Sequence, residues 1–128
     1  MEIKPKQPTA KGPAEWFTGD VWIDSIAQLT GDSPVNLGAV HFPPGARTAW
    51  HSHQGGQTLY VNEGRGLVQS RGESVVEIRS GDGVHTPNGE EHWHGAAHDH
   101  FMIHLSMTLG APTWGEHVTD GEYRAGMG

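Results

Sequence analysis

An all-β sandwich or barrel, closed by one short C-terminal helix, is the fold class this sequence predicts. Three observations carry that expectation. About nine or ten short strand-like runs follow one another at regular spacing, with turn signals between them. Glycine (19) and proline (8) are abundant yet spread along the chain, as many turns require. Neither a repeat of fixed period nor an internal linker breaks the pattern.

The elements follow in order. Residues 1–13 hold three lysines and three prolines and form an N-terminal arm. Such an arm is expected to lack fixed structure or to lie along a neighbouring subunit. Residues 14–128 form the single barrel domain. Trp16 to Ile23 predicts a first strand, kinked at Gly19, and Gly31-Asp-Ser-Pro34 predicts a turn. Val35 to Phe42 is a second strand, ended by Pro43-Pro44-Gly45. Thr48 to His53 is extended, Gly55-Gly56 breaks it, and Gln57 to Val61 resumes. Asn62-Glu-Gly64 is expected to turn the chain. Gly66 to Ser70 and Val75 to Arg79 predict a hairpin around Arg71-Gly72-Glu73. After Ser80-Gly81-Asp82-Gly83, Val84 to Thr86 is short and Pro87-Asn88-Gly89 follows. His92-Trp-His94 is extended, Ala96 to His100 is a loop, and Phe101 to Thr108 is a further strand. Gly110-Ala-Pro-Thr predicts a turn and Glu116 to Val118 an edge strand. Thr119-Asp-Gly-Glu122 has the pattern of a capping box and predicts the helix.

Composition removes whole classes of function. Cysteine is absent, so disulfides, thiolate nucleophiles and iron–sulfur clusters are excluded. The formal charge of −7 argues against nucleic acid or an anionic membrane as partner. Met1-Glu-Ile-Lys-Pro-Lys has no apolar core of the kind a signal peptide needs, and no apolar run approaches the roughly 20 residues of a membrane span. A cytoplasmic protein acting on a small-molecule substrate is the expectation.

Ten histidines without a cysteine point to a metal instead. His51 and His53 alternate onto one face of a strand, so both imidazoles can reach one ion. Gln57 lies across the Gly55-Gly56 break, where its amide oxygen can turn back to the same ion. The third imidazole is expected from His92 or His94, which repeat the His-x-His spacing. His98 and His100 share that spacing but fall in a turn, where solvated side chains are expected. His41 alternates away from Gly38 and Val40 and is expected to face out. Arg47, in a turn, is expected to be solvated or at an interface. Trp50 and Trp93 point opposite to the ligands and pack against a neighbouring layer or subunit. Trp16, Phe17 and Trp22 would form an exposed apolar surface that a dimer buries.

Two segments carry a family resemblance. Gly45-x5-His51-x-His53-x3-Gln57-x6-Gly64 resembles the first cupin motif, and Gly81-x5-Pro87-x-Gly89-x2-His92 resembles the second. The resemblance implies a double-stranded β-helix, or jelly-roll barrel. There are two departures: Gln57 replaces the usual glutamate, and Ala96 replaces a common asparagine. A set of three histidines and one glutamine is neutral, so the ion keeps its full charge. That tilts the chemistry towards Lewis-acid catalysis and away from redox cycling.

Lys11-Gly-Pro-Ala-Glu-Trp-Phe-Thr-Gly19, Pro44-Gly-Ala-Arg-Thr-Ala-Trp-His-x-His53, Glu91-His-Trp-His-Gly-Ala96 and Glu116-His-Val-Thr-Asp120 resemble one subgroup. These are the small bacterial cupins associated with carboxymuconolactone decarboxylases, which include manganese-dependent hydroxynitrile lyases. The resemblance implies one divalent metal per subunit, manganese first, with iron, zinc and nickel as other candidates. It implies His51, His53, Gln57 and His92 as ligands and His94 as acid/base, cleaving aromatic cyanohydrins such as mandelonitrile. His104 faces inward by comparison with the lyases, as a catalytic residue or a core histidine. Gly38 and Val40 would floor the pocket. Thr108 stands where the lyases carry a glutamine implied to hold cyanide. A homodimer or homotetramer is expected. Two other functions stay open: an iron-dependent dioxygenase on a small diketone or phenol, and a non-catalytic cupin that binds a small molecule.

Overall fold

A computed structural model describes residues 1–32 and 34–125. Ser33, inside the expected Gly31–Pro34 turn, and residues 126–128 of the expected 14–128 domain lie outside them. The described chain forms twelve strands and one helix. These are β1 (Ala10–Lys11), β2 (Phe17–Thr18), β3 (Trp22–Leu29), β4 (Val35–Phe42), β5 (Arg47–Thr48), β6 (His51–His53), β7 (Gln57–Ser70), β8 (Val76–Arg79), β9 (Gly83–Thr86), β10 (His92–Ala96), β11 (Met102–Leu109), β12 (Pro112–Trp114) and α1 (Asp120–Arg124).

Every pairing is antiparallel. A first sheet runs β1-β3-β4-β11-β7-β9. A second runs β8-β7-β10-β5-β2, with β6 joining β10 to β12. β7 belongs to both, and its 14 residues carry the chain from one layer into the other. The sheet curls on itself and leaves the inner faces of both halves looking at one interior.

How β7 bends corrects an expectation. Asn62-Glu-Gly64 does not turn the chain. The pairing with β11 continues, but its register shifts, with Ile103 opposite Glu63 and His104 opposite Val61. Asn62 is thus an extra residue, a bulge that sharpens the twist. Gly64 completes the bend at φ 86, in the left-handed region, where a Cβ would run into the carbonyl oxygen of Phe101.

Other boundaries shift for similar reasons. The expected strand Trp16–Ile23 is two strands, because Gly19 at φ 88 ends β2 and lets the chain restart at Trp22. Thr48–His53 also divides, into β5 and β6, where Ala49 and Trp50 bond to Trp16 and Glu116 instead of continuing a ladder. The expected turn Gly110–Thr113 holds only at Gly110; Pro112 opens β12, a position that needs no donor. Glu116–Val118 is not a strand. The hairpin around Gly72, the short β9 and the capping box all form as expected, Thr119 and Glu122 bonding each other's backbone N–H at 3.1 and 2.9 Å.

The barrel core gathers Phe17, Val40, Phe42, Val61, Ile78 and Met102. Phe17 is therefore interior, not part of an exposed patch. A second cluster, Trp50, Leu67, Trp93, Val118 and Tyr123, packs α1 and the chain before it onto the outside of β7 and β10. Arg47 fastens this layer. Its buried guanidinium donates to the Val118 carbonyl at 2.9 Å and to Asp120 at 2.8 Å, and lies over the Tyr123 ring. Arg47 is thus buried beneath α1 and not solvated. The outer face of the first sheet leaves Trp22, Tyr60 and Met107 exposed, beside the His41–Asp24 pair.

Gly64→Ala is expected to destabilise the protein by roughly 2–4 kcal/mol, adding a left-handed backbone cost to a steric clash. Urea denaturation with an unchanged m-value checks this.

Candidate metal centre

Short range sets the histidines before long range brings them together. His51 and His53 lie on one face of β6, both buried. The Nδ1 of His51 reaches the carbonyl oxygen of Ala49, and that of His92 the carbonyl of Glu90, each at 2.9 Å. Each is a bond to the backbone two residues earlier. Each requires Nδ1 to carry the proton, so Nε2 of both rings is left as a lone-pair donor to the interior. In the sheet, His92 stands opposite His51, with ring centroids 4.3 Å apart. Ligand atoms of His51, His53 and His92 lie within 4.8 Å of one another, so the group can bind a metal ion. Between the two candidates for the third imidazole, it is His92 that joins the cluster.

Gln57 approaches from the first sheet. Its Nε2 donates to the Ser106 hydroxyl at 2.9 Å, which turns Oε1 towards His92 Nε2, also at 2.9 Å. With the His92 proton held on Nδ1, two acceptors face each other across that gap. A cation beside them resolves the conflict. Among the described residues, neither ring nitrogen of buried His53 has a hydrogen-bond partner. The donors present therefore suit a divalent ion.

His94 sits two residues after His92 on the same buried face. Its Nδ1 is 3.0 Å from Nε2 of His104, and its own Nε2 has no partner among the described residues. Phe42 packs edge-on against His94 and obliquely against His104. Burial holds all these imidazoles neutral, and neighbouring rings add to it at His51, His53 and His94. His51 is pushed down to about 3 and His53 to about 4 by burial and then His92. His92 falls by burial, and His94 falls well below the usual range by burial and then His104. His104 falls to about 4, with burial again the first cause. Neutral rings are the ones that can bind a cation or accept a proton.

Gly38, Val40 and Thr108 line a cavity of about 210 Å³ with Ser106, on the inner face of the first sheet. Gly38 stands opposite Ser106 and Val40 opposite His104, so this cavity lies beside the His104 and Gln57 side of the cluster. A second cavity of about 370 Å³ opens between β8 and β9 and is lined by Leu59, Val68, Val84, Thr86 and His92.

The remaining histidines stand apart. His98 and His100 are exposed in the turn before β11. His41 points outward and pairs with Asp24 at 3.1 Å. His85 meets Thr58 at 2.9 Å, and His117 meets Thr18 at 3.5 Å, both outside the cluster. Two residues of the centre were not singled out from sequence. Ser106 was legible by alternation, two residues from His104. Trp114, 4.6 Å from His51 ring to ring, was hidden by the turn-like Gly110-Ala-Pro-Thr.

Two antiparallel layers closed around histidines from two separate motifs define a cupin barrel. The chain matches the Cupin domain family over residues 38–107 and belongs to that family. It is 49% identical over 130 residues to an (R)-mandelonitrile lyase of Granulicella tundricola, covering 97% of this chain and 99% of that protein. A cupin-like protein of Thermotoga maritima superposes with a TM-score of 0.87 at 38% identity, over 97% of this chain and 96% of the other. A cupin-2 domain of Rhodospirillum rubrum shares the fold at a TM-score of 0.70 and 20% identity, over 90% and 77%. Among the described residues no helix is long and apolar enough to cross a membrane.

The buried rings make acid a destabiliser. Unfolded histidine takes a proton near 6.5, folded His104 only near 4. Between those values the unfolded state binds more protons, so stability rises with pH and is lost as pH falls. Melting temperatures of metal-free protein are expected to drop from about pH 6.5 towards about pH 4, with a shallower slope in His104→Leu.

Proposed function

We propose that the protein is a metal-dependent lyase of the hydroxynitrile lyase type, cleaving or forming aromatic cyanohydrins such as mandelonitrile. The carrying observation is one cluster with two offices. Three imidazoles converge on a point that suits a cation, and a fourth, His94, stands beside them with an unpartnered Nε2. Likeness to the (R)-mandelonitrile lyase supports this reading of the reaction. His51, His53, Gln57 and His92 hold one divalent metal per subunit, manganese first. Bound there, such an ion supplies positive charge that polarises an oxygen and stabilises a departing anion.

The residues do the rest. His94 Nε2 takes the proton of the substrate hydroxyl. For that nitrogen to be free, the His94 proton must sit on Nδ1 and be donated to His104 Nε2, 3.0 Å away. His104 thereby sets which tautomer His94 adopts. As the carbinol carbon becomes a carbonyl, its bond to the nitrile carbon breaks, and the released cyanide takes the proton back from His94. Gly38, Val40 and Thr108 shape the space for the substrate, and Phe42 keeps water from the His94–His104 pair.

The subunits associate as a homodimer or homotetramer through the outer face of the first sheet, where Tyr60, Leu105 and Met107 are neighbours. Leu105→Asp is expected to lower the mass measured by light scattering to that of a monomer.

His92→Ala is expected to abolish metal uptake by elemental analysis. His94→Ala is expected to keep the metal and lose mandelonitrile cleavage by about 100-fold or more. Equal metal loss in both would sink this division of roles. Cleavage should proceed without oxygen. Turnover that consumes oxygen and requires iron would mark a dioxygenase, and tight ligand binding without turnover under any metal a binding protein.

A further inference from the structure

We propose that Trp114 is a positioning residue for the metal centre, its indole fixing the His51 imidazole and so setting affinity for a divalent cation. The inference rests on the reading that His51, His53 and His92 hold a metal.

Trp114 closes β12 directly opposite His51 in antiparallel register. Side chains opposed in this way touch across the pair. The two ring centroids are 4.6 Å apart and the planes 31° from parallel. On its other side His51 meets the His92 ring at 4.3 Å. The imidazole is therefore enclosed between an indole and a second imidazole. Its bond to the Ala49 carbonyl restrains one edge, but ring rotation about the last side-chain bond is broad. Contact with the indole face removes that freedom.

The indole is itself held from behind. Trp16 stacks on it, 5.1 Å between centroids and 6° from parallel, and Phe17 meets it at 6.0 Å. Trp114 also packs against the barrel core. There is an electrostatic side as well. When Nε2 of His51 donates to a cation, the ring gains positive character. The indole face is the negative part of its quadrupole, so the contact is stronger in the loaded centre than in the empty one. No residue of the two histidine motifs supplies this contact.

The test is metal affinity of the full-length protein, measured by chelator competition with manganese and zinc, with melting temperatures taken on the same preparations. Trp114→Ala is expected to weaken binding by about 10–100-fold, the loss usual for a residue that orients a ligand. Trp114→Phe, which keeps an aromatic face, restores most of it, and Trp16→Ala gives a smaller loss in the same direction. Cobalt(II) reports the geometry: its visible spectrum should change in Trp114→Ala and return towards wild type in Trp114→Phe. Should the alanine protein not fold, Trp114→Phe is compared with Trp114→Leu. Affinity kept by phenylalanine and lost by leucine supports the role, and equal affinities overturn it. Trp114→Ala binding as tightly as wild type also overturns it. A wild-type protein that takes up none of these metals removes the metal reading and this proposal together. Failure confined to the Trp114 variants removes only the latter.

Discussion

Two sheets have to deliver donors to one point from opposite sides, and β7 is the element that makes this possible. Gln57 begins the strand in the first sheet, and Ser70 ends it beside His92 in the second. The bulge at Asn62 and the left-handed Gly64 bend the strand between those ends. Because one continuous strand fixes the spacing of the layers, the Gln57 amide meets the His92 ring without a flexible loop between them. A site built on strands keeps its geometry through the ladders on either side.

Burial then does chemical as well as structural work. An apolar interior opposes charge on each imidazole, and the rings closest to one another oppose it further. What remains is a pocket of lone pairs with few donors to satisfy them. The backbone bonds of His51 and His92 use their Nδ1 protons and leave both Nε2 lone pairs facing the cluster. Replacing the usual cupin carboxylate with Gln57 continues the same logic, since nothing in the centre offsets a cation's charge.

Much of this was legible in the sequence, and the reasons differ by residue. Alternation on a strand places His51 with His53, and His104 with Ser106, without any tertiary knowledge. Motif spacing identified His92, although periodicity alone could not choose it over His94, because both face inward and the distinction is which ring meets His51 across the sheet. Glycines misled where their left-handed backbone serves a bulge and not a reversal, as at Gly64. Proline misled at Pro112, where an edge strand begins. Arg47 escaped because nothing local shows that a turn residue will be covered by a helix more than 70 positions later.

That cover has a consequence for how the protein is made. His92 and His94 line the inner face of β10, while Trp93 between them faces outward into the cluster that Val118 and Tyr123 complete. Tyr123 also donates to the carbonyl of Ala96 at the strand's far end, at 2.6 Å. All four proposed ligands have been synthesised by residue 92, but the back of the strand that presents one of them stays exposed until the segment around Val118–Tyr123 has left the ribosome. Assembly of the centre is thus a late event in vectorial synthesis, timed by a segment that never touches it.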